Sequence, residues 1–111
     1  MQPDGRALVW DAIRASRLVR TFVEGKSFDD YCHDVVLRSA VERQLTIVGE
    51  ALNRLSSVAP DLAGALPELR SIIGFRNVLV HGYAQVDDEI VWDVVHDRLP
   101  ELERALQELS E

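Results

Sequence analysis

Between Phe28 and Ser57 the chain runs for thirty residues with no proline and a single glycine, Gly49. Within it Val36, Ala40, Leu45, Val48, Ala51, Leu52 and Leu55 recur mostly at spacings of three and four, the period of an apolar stripe on an α-helix. A helix that long would span about 45 Å and cannot bury its stripe alone. The rest of the chain must therefore supply helical partners, and Gly49 is the place where one of them can approach closely.

Those partners are legible on either side. Leu8, Ala12, Ala15, Val19 and Phe22 mark a first helix from Asp4, a possible cap, to about Phe22. Gly25 follows it, with Ser27 or Asp29 available to cap the long helix. After it, VAPDLAGALP carries Pro60, Gly64 and Pro67 and reads as a turn with a short helical piece. Pro67 suits the first position of a third helix that packs Leu69, Ile72, Ile73, Val78 and Leu79 inward and stops at Gly82. The last stretch, the run from Gln85 onward, carries acids in its first turn and lines up Val91, Val94, Val95, Leu99, Leu102, Leu106 and Leu109, with a kink expected at Pro100. No stretch alternates with a period of two. The expected fold is all-α, an antiparallel bundle of four to five helices over residues 1–111 as one domain.

Composition narrows the function classes. At 47% hydrophobic and 28% charged residues the chain is ordinary for a soluble globular protein. It has neither a membrane-length apolar run nor a basic-then-apolar leader, so a cytoplasmic location and no membrane partner are expected. The lone Cys32 excludes an internal disulfide and a cysteine zinc cluster; it reads as a small packed or half-exposed hydrophobe. His33, His81 and His96 share no metal-ligand spacing, so neither a metal nor a cofactor is expected. The net charge of −7 argues against strong nucleic-acid binding, yet it is unevenly spread. Residues 87–111 hold nine acids and two arginines, which leaves residues 1–86 neutral. Eleven of the twelve basic residues are arginine, whose forked guanidinium grips phosphate in two places, although arginine-rich codon usage explains the bias equally well.

Chemistry concentrates at the end of the third helix, in Gly74-Phe75-Arg76-Asn77-Val78-Leu79-Val80-His81-Gly82-Tyr83. Asn77 and His81 lie one turn apart, whereas Arg76 and His81 are about 140° apart around an ideal helix. For both to meet one phosphate, the helix end distorts, Arg76 reaches round, or a second chain contributes one of them. A histidine that moves a proton and an arginine that holds a phosphoryl oxygen are the parts needed to cleave RNA through its own 2′-hydroxyl. The plain alternative is a helix-terminal histidine that favours the dipole, with an asparagine bonded to it.

Arg76, four residues, His81, one residue, Tyr83 resembles the R-x4-H-x-Y signature of the HEPN superfamily, and RNVLVHGY is similar to the HepT-like toxins within it. Glu42-Arg43-Gln44-Leu45, Ile47 to Ala51 and Asn53-Arg54-Leu55-Ser56 resemble the family's long-helix segment, and Asp87 stands where members often have an acid. The resemblance implies a dimeric, metal-independent endoribonuclease toxin of a type VII-like toxin–antitoxin system, acting on tRNA or mRNA. By the same resemblance, His81 would be the acid or base, Arg76 would stabilise the pentacovalent phosphate and Asn77 would orient one of them. The implied partner is a minimal nucleotidyltransferase (MNT) antitoxin that adds AMP to Tyr83, in a complex that can be larger than one dimer. A bulky anion two residues from His81 would block the cleft and repel RNA. A non-catalytic helical module that works through complex formation with such a nucleotidyltransferase is the other function class.

The remaining polar residues have plainer readings. The acidic last helix is expected to be a solvated face, or else a surface for the antitoxin. Arg43 and Arg54 are candidates for an RNA-binding rim, while Glu50 and Arg54 form an ordinary i,i+4 pair. Trp10, Trp92, Phe75 and Tyr31 are expected to pack in the core or a dimer contact.

Overall fold

The computed structural model describes residues 3–81 and 86–111, and among these every regular element is a helix. Four helical segments carry the fold: α1 (Pro3–Val23), α3 (Val35–Val58), α5 (Leu69–His81) and a C-terminal segment made of α6 (Asp88–Asp93), a π-helical turn (Val94–Arg98) and α7 (Leu99–Ser110). Two short turns, α2 (Phe28–Cys32) and α4 (Pro60–Gly64), sit between them. The bundle is centred on α3, which packs against α1 on one side and α5 on another, while α7 lies along α1. None of these helices is long and apolar enough to cross a membrane.

The thirty-residue run is not one helix. Ser27 caps α2 in a reciprocal box: its Oγ accepts from the Asp30 N–H at 3.0 Å and its own N–H donates to the Asp30 carboxylate at 2.9 Å. These bonds, the one from the Ser27 backbone above all, hold the Asp30 carboxyl below its ordinary range. Asp34 then caps a second start, its Oδ1 accepting from the Leu37 N–H at 3.0 Å. Arg38 closes the break by donating to the Cys32 carbonyl, one of the groups a helix end leaves unpaired. Two caps seven residues apart outweigh the continuous apolar period, and the reset register turns Val36 out to solvent at 75% exposure instead of into the core.

The interruption fixes Tyr31, which is fully buried against Trp92 (ring centroids 5.4 Å apart), while Phe28 flanks Trp92 at 6.0 Å. Three of the four aromatics named above, Tyr31, Trp92 and Phe75, do pack on the core. Trp10 does not: it is 54% exposed, with the Arg17 guanidinium 5.7 Å from its ring centre.

Helix α5 starts two residues later than Pro67 suggests, because Glu68 takes the left-handed conformation (φ 62°) and ends the preceding turn. A non-glycine residue pays about 1–2 kcal/mol for that backbone. Arg98 holds it, donating to the Glu68 carboxylate at 2.7 Å and to Ser71 Oγ at 3.1 Å. In the C-terminal segment the irregularity expected at Pro100 is a π turn just before it, since the proline ring clashes with the carbonyl four residues back and the wider turn relieves that contact. The acidic segment is not a uniformly solvated face either. Glu103 is buried, and its Oε2 accepts from Arg20 at 3.1 Å and from Gln107 at 3.0 Å.

Candidate functional site

Gly49 and Arg76 form the contact that builds the site. A side chain at position 49 would come within 2.7 Å of Arg76 Cγ and closer still to Arg76 Cβ, so only glycine lets the arginine stem lie directly across α3. The close approach expected of Gly49 is therefore made by the candidate arginine itself.

Once there, the guanidinium is held from several sides. Its Nη1 donates to Asn77 Oδ1 at 3.0 Å, its Nη2 lies 3.5 Å from Glu50 Oε1, and its Nε is buried with no partner. The Arg76 side chain is 24% exposed and Glu50 43%. Five N–H bonds leave a guanidinium; one on Nη1 is donated to Asn77, the one on Nε is buried, and with Glu50 only at ion-pair distance the terminal nitrogens keep N–H bonds for a ligand. A partly exposed arginine with N–H bonds left over can hold a phosphoryl oxygen.

Two sequence expectations change here. Glu50 turns to Arg76 rather than to Arg54, which is exposed on the same helix, as is Arg43. Asn77 accepts a hydrogen bond from Arg76, and among the described residues none links it to His81.

His81 is exposed and is the last residue of α5. The helix continues unbroken from Leu69 to His81, so distortion does not bring His81 round to Arg76. Nor does Arg76 reach round, because its guanidinium is turned to Glu50 and Asn77. Within one chain the two side chains stay on different sides of the helix, about 7.5 Å apart along its axis. Gly82 and Tyr83 lie outside the described residues. Asp87, just beyond them, caps α6, its Oδ1 accepting from Glu89 N–H at 2.9 Å and Ile90 N–H at 3.4 Å.

The outer side of α5 is unusually bare. Ile72 is its only buried residue; Val78 and Val80 are 52% and 42% exposed, so Val78 points outward and not to the core as its spacing suggested. A cleft of about 650 Å3 elsewhere, between the end of α1 and the start of α7, is lined by Arg20, Lys26, His96, Glu103 and Arg104 and shares no residue with the Arg76 cluster.

A second polar group lies beneath α2. Burial first, and then the nearby Asp88, push the Glu42 carboxyl up, partly opposed by Arg38, which sits 4.0 Å from Asp88. The Tyr31 hydroxyl, buried there without a partner, is likewise driven up by burial.

Comparison with known proteins gives the family and the fold of the chain. The ribonuclease HepT-like family model matches residues 12–109. A protein of Caldanaerobacter subterraneus subsp. tengcongensis that carries an RNase name is 36% identical over 87 residues, covering 78% of this chain and 77% of the relative. A protein of Thermococcus cleftensis named a probable ribonuclease HepT is 30% identical over 101 residues, 89% of each chain. Among solved structures, the tri-AMPylated HEPN toxin of Shewanella oneidensis, determined in complex with its MNT antitoxin, superposes with a TM-score of 0.73 over 98% of both chains at 19% identity. At that identity the likeness establishes a shared HEPN fold.

Proposed function

The chain belongs to the ribonuclease HepT-like family, and from that premise we propose that it is the endoribonuclease toxin of a toxin–antitoxin pair, dimeric and independent of metal. The observation that carries the reading is the Arg76 guanidinium, fixed across Gly49 with N–H bonds left on its terminal nitrogens, on the helix that ends in His81.

In this reading His81 takes the proton from an RNA 2′-hydroxyl as its oxygen attacks the adjacent phosphorus. Arg76 carries the added negative charge of the five-coordinate phosphorus, and Asn77 keeps the guanidinium in place. The bond to the 5′-oxygen then breaks; that oxygen accepts a proton, and the products are a 2′,3′-cyclic phosphate and a free 5′-hydroxyl. One chain offers a single copy of His81, set apart from Arg76. A two-fold dimer that pairs the bare faces of α5 supplies a histidine for each proton transfer and buries Val78 and Val80.

The antitoxin is a nucleotidyltransferase of the MNT type, as in the complex of the Shewanella toxin. By the same analogy it transfers AMP to Tyr83, two residues from His81, where the added phosphate repels RNA. The substrate is tRNA or mRNA, and the setting cytoplasmic.

The test is RNA cleavage in EDTA by the wild type and by His81→Ala, together with the intact mass of the protein produced with and without a co-encoded nucleotidyltransferase. Cleavage that needs His81 and an added mass of AMP support both halves. Absence of both leaves a helical module that acts only through complex formation.

A further inference from the structure

We infer that Glu50 is a positioning residue for Arg76, reaching the guanidinium from α3 over the gap that Gly49 leaves, so that the active arginine is oriented by two helices rather than one. The inference rests on the ribonuclease reading for its consequence in catalysis, though not for its geometry. An arginine side chain has four rotatable bonds, and on an exposed helix face it samples many orientations. Here the stem is pressed on Gly49, Nη1 is tied to the neighbouring Asn77, and Nη2 faces the Glu50 carboxylate at 3.5 Å. Asn77 alone sits on the same helix and moves with it, so it cannot set the angle of the guanidinium relative to the bundle. Glu50 can, because α3 is the most extensively packed helix beside α5 and its buried residues Val48, Ala51 and Leu52 flank position 50.

The orientation matters because the hydrogen bond to Asn77 and the ion pair with Glu50 together determine where the remaining N–H bonds point. Without the carboxylate, the guanidinium would swing about its stem, and displacements near 1 Å at a reacting group cost up to about 100-fold in rate. Glu50 touches no substrate in this scheme; it acts only through Arg76. Its negative charge also offsets the arginine in the resting protein, so phosphate must be held by the free edge of the fork and not by a general positive surface, in keeping with the overall acidity of the chain.

The experiment compares wild type, Glu50→Ala and Glu50→Gln in RNA cleavage and follows the Arg76 guanidinium by nitrogen-15 NMR, which reports its rotation whether or not RNA is cut. The expected result is a kcat lowered about 10- to 100-fold in Glu50→Ala with KM little changed. Glu50→Gln, which keeps an acceptor of the same shape, should recover part of that loss. In the Arg76→Lys background, where no fork remains to orient, Glu50→Ala should cost little more. By NMR, rotation of the guanidinium should be slowed in wild type and freed in Glu50→Ala. Unchanged or increased cleavage in Glu50→Ala, a full effect persisting in Arg76→Lys, or an Arg76 signal indifferent to Glu50 would overturn the inference. If the wild type cuts no RNA at all, the ribonuclease reading falls, and the NMR comparison still decides whether Glu50 positions Arg76.

Discussion

The α1–α3 seam and the α5 helix are built from similar sequence and do different work. Helix α1 buries nine of its twenty-one residues and α3 eight of twenty-four, whereas α5 buries one of thirteen. The seam is continuous aliphatic packing, with Ile13, Val19, Leu45, Val48 and Leu52 almost wholly removed from water. Helix α5 is attached by Ile72, by the partly buried Leu69, Ile73, Phe75 and Leu79, by the Gly49–Arg76 contact and by Arg98 at its start. A deeply buried seam thus carries a helix that lies half in the core and half at the surface, and every candidate catalytic residue is on that helix. Residues held by few contacts are free to serve a ligand or a second chain, at the cost of depending on individual side chains for their orientation.

Several substitutions test that contrast. The largest effect on stability is expected from Leu52→Ala, which opens a cavity in the seam and should cost about 2–5 kcal/mol by urea denaturation. A loss below about 1 kcal/mol would mean that the seam is not the main store of stability. Gly49→Ala gains about 1 kcal/mol of helix propensity but forces α3 and α5 apart, a strain of typically 1–3 kcal/mol. It should therefore destabilise modestly while lowering cleavage, whereas a stabilised and fully active variant would mean that α5 does not depend on close approach.

His81→Ala should cost only about 0.3–1 kcal/mol through the helix dipole while abolishing cleavage. A loss of several kcal/mol would assign it to the scaffold. Val78→Asp, on the bare face, should change the stability of the single chain by less than about 0.5 kcal/mol. Under the proposed dimer it should lower the mass seen in sedimentation; an unchanged mass would place any dimer on another face.

The smallest effect concerns the buried acid. Burial raises the Glu42 carboxyl above its unfolded value, so the folded chain binds the proton more tightly and this group weakens the fold as pH rises through its folded pKa. Glu42→Gln should match wild type in acid and exceed it slightly at neutral pH; the reverse order would show that the charged form is the one the fold stabilises.

How far the site was readable depended on sequence distance. Arg76, Asn77 and His81 stand within six positions, so their density and helical spacing were visible without a structure. The role of Glu50 was not, because twenty-six residues separate it from Arg76 and a nearer arginine, Arg54, offered an ordinary i,i+4 partner. Gly49 was the one local hint, a lone glycine in a long helical run. The split of that run into α2 and α3 was half visible: Ser27 and Asp34 are both good caps, yet the apolar period continued across them, and the structure shows both caps made, with Tyr31 packed on Trp92 at the break.

The sequence by itself determined that the chain is helical, roughly where each helix starts and stops, and where the candidate residues Arg76, Asn77 and His81 cluster. Those properties depend on periodicity, caps and local spacing, which act over a turn or two of backbone. Tertiary structure decided which carboxylate meets Arg76, that Val36, Val78 and Trp10 face water, and that α5 stays regular to His81 with the arginine turned away from it. Such outcomes depend on which helix lies against which, and that is set by the packing of the whole core rather than by any local pattern.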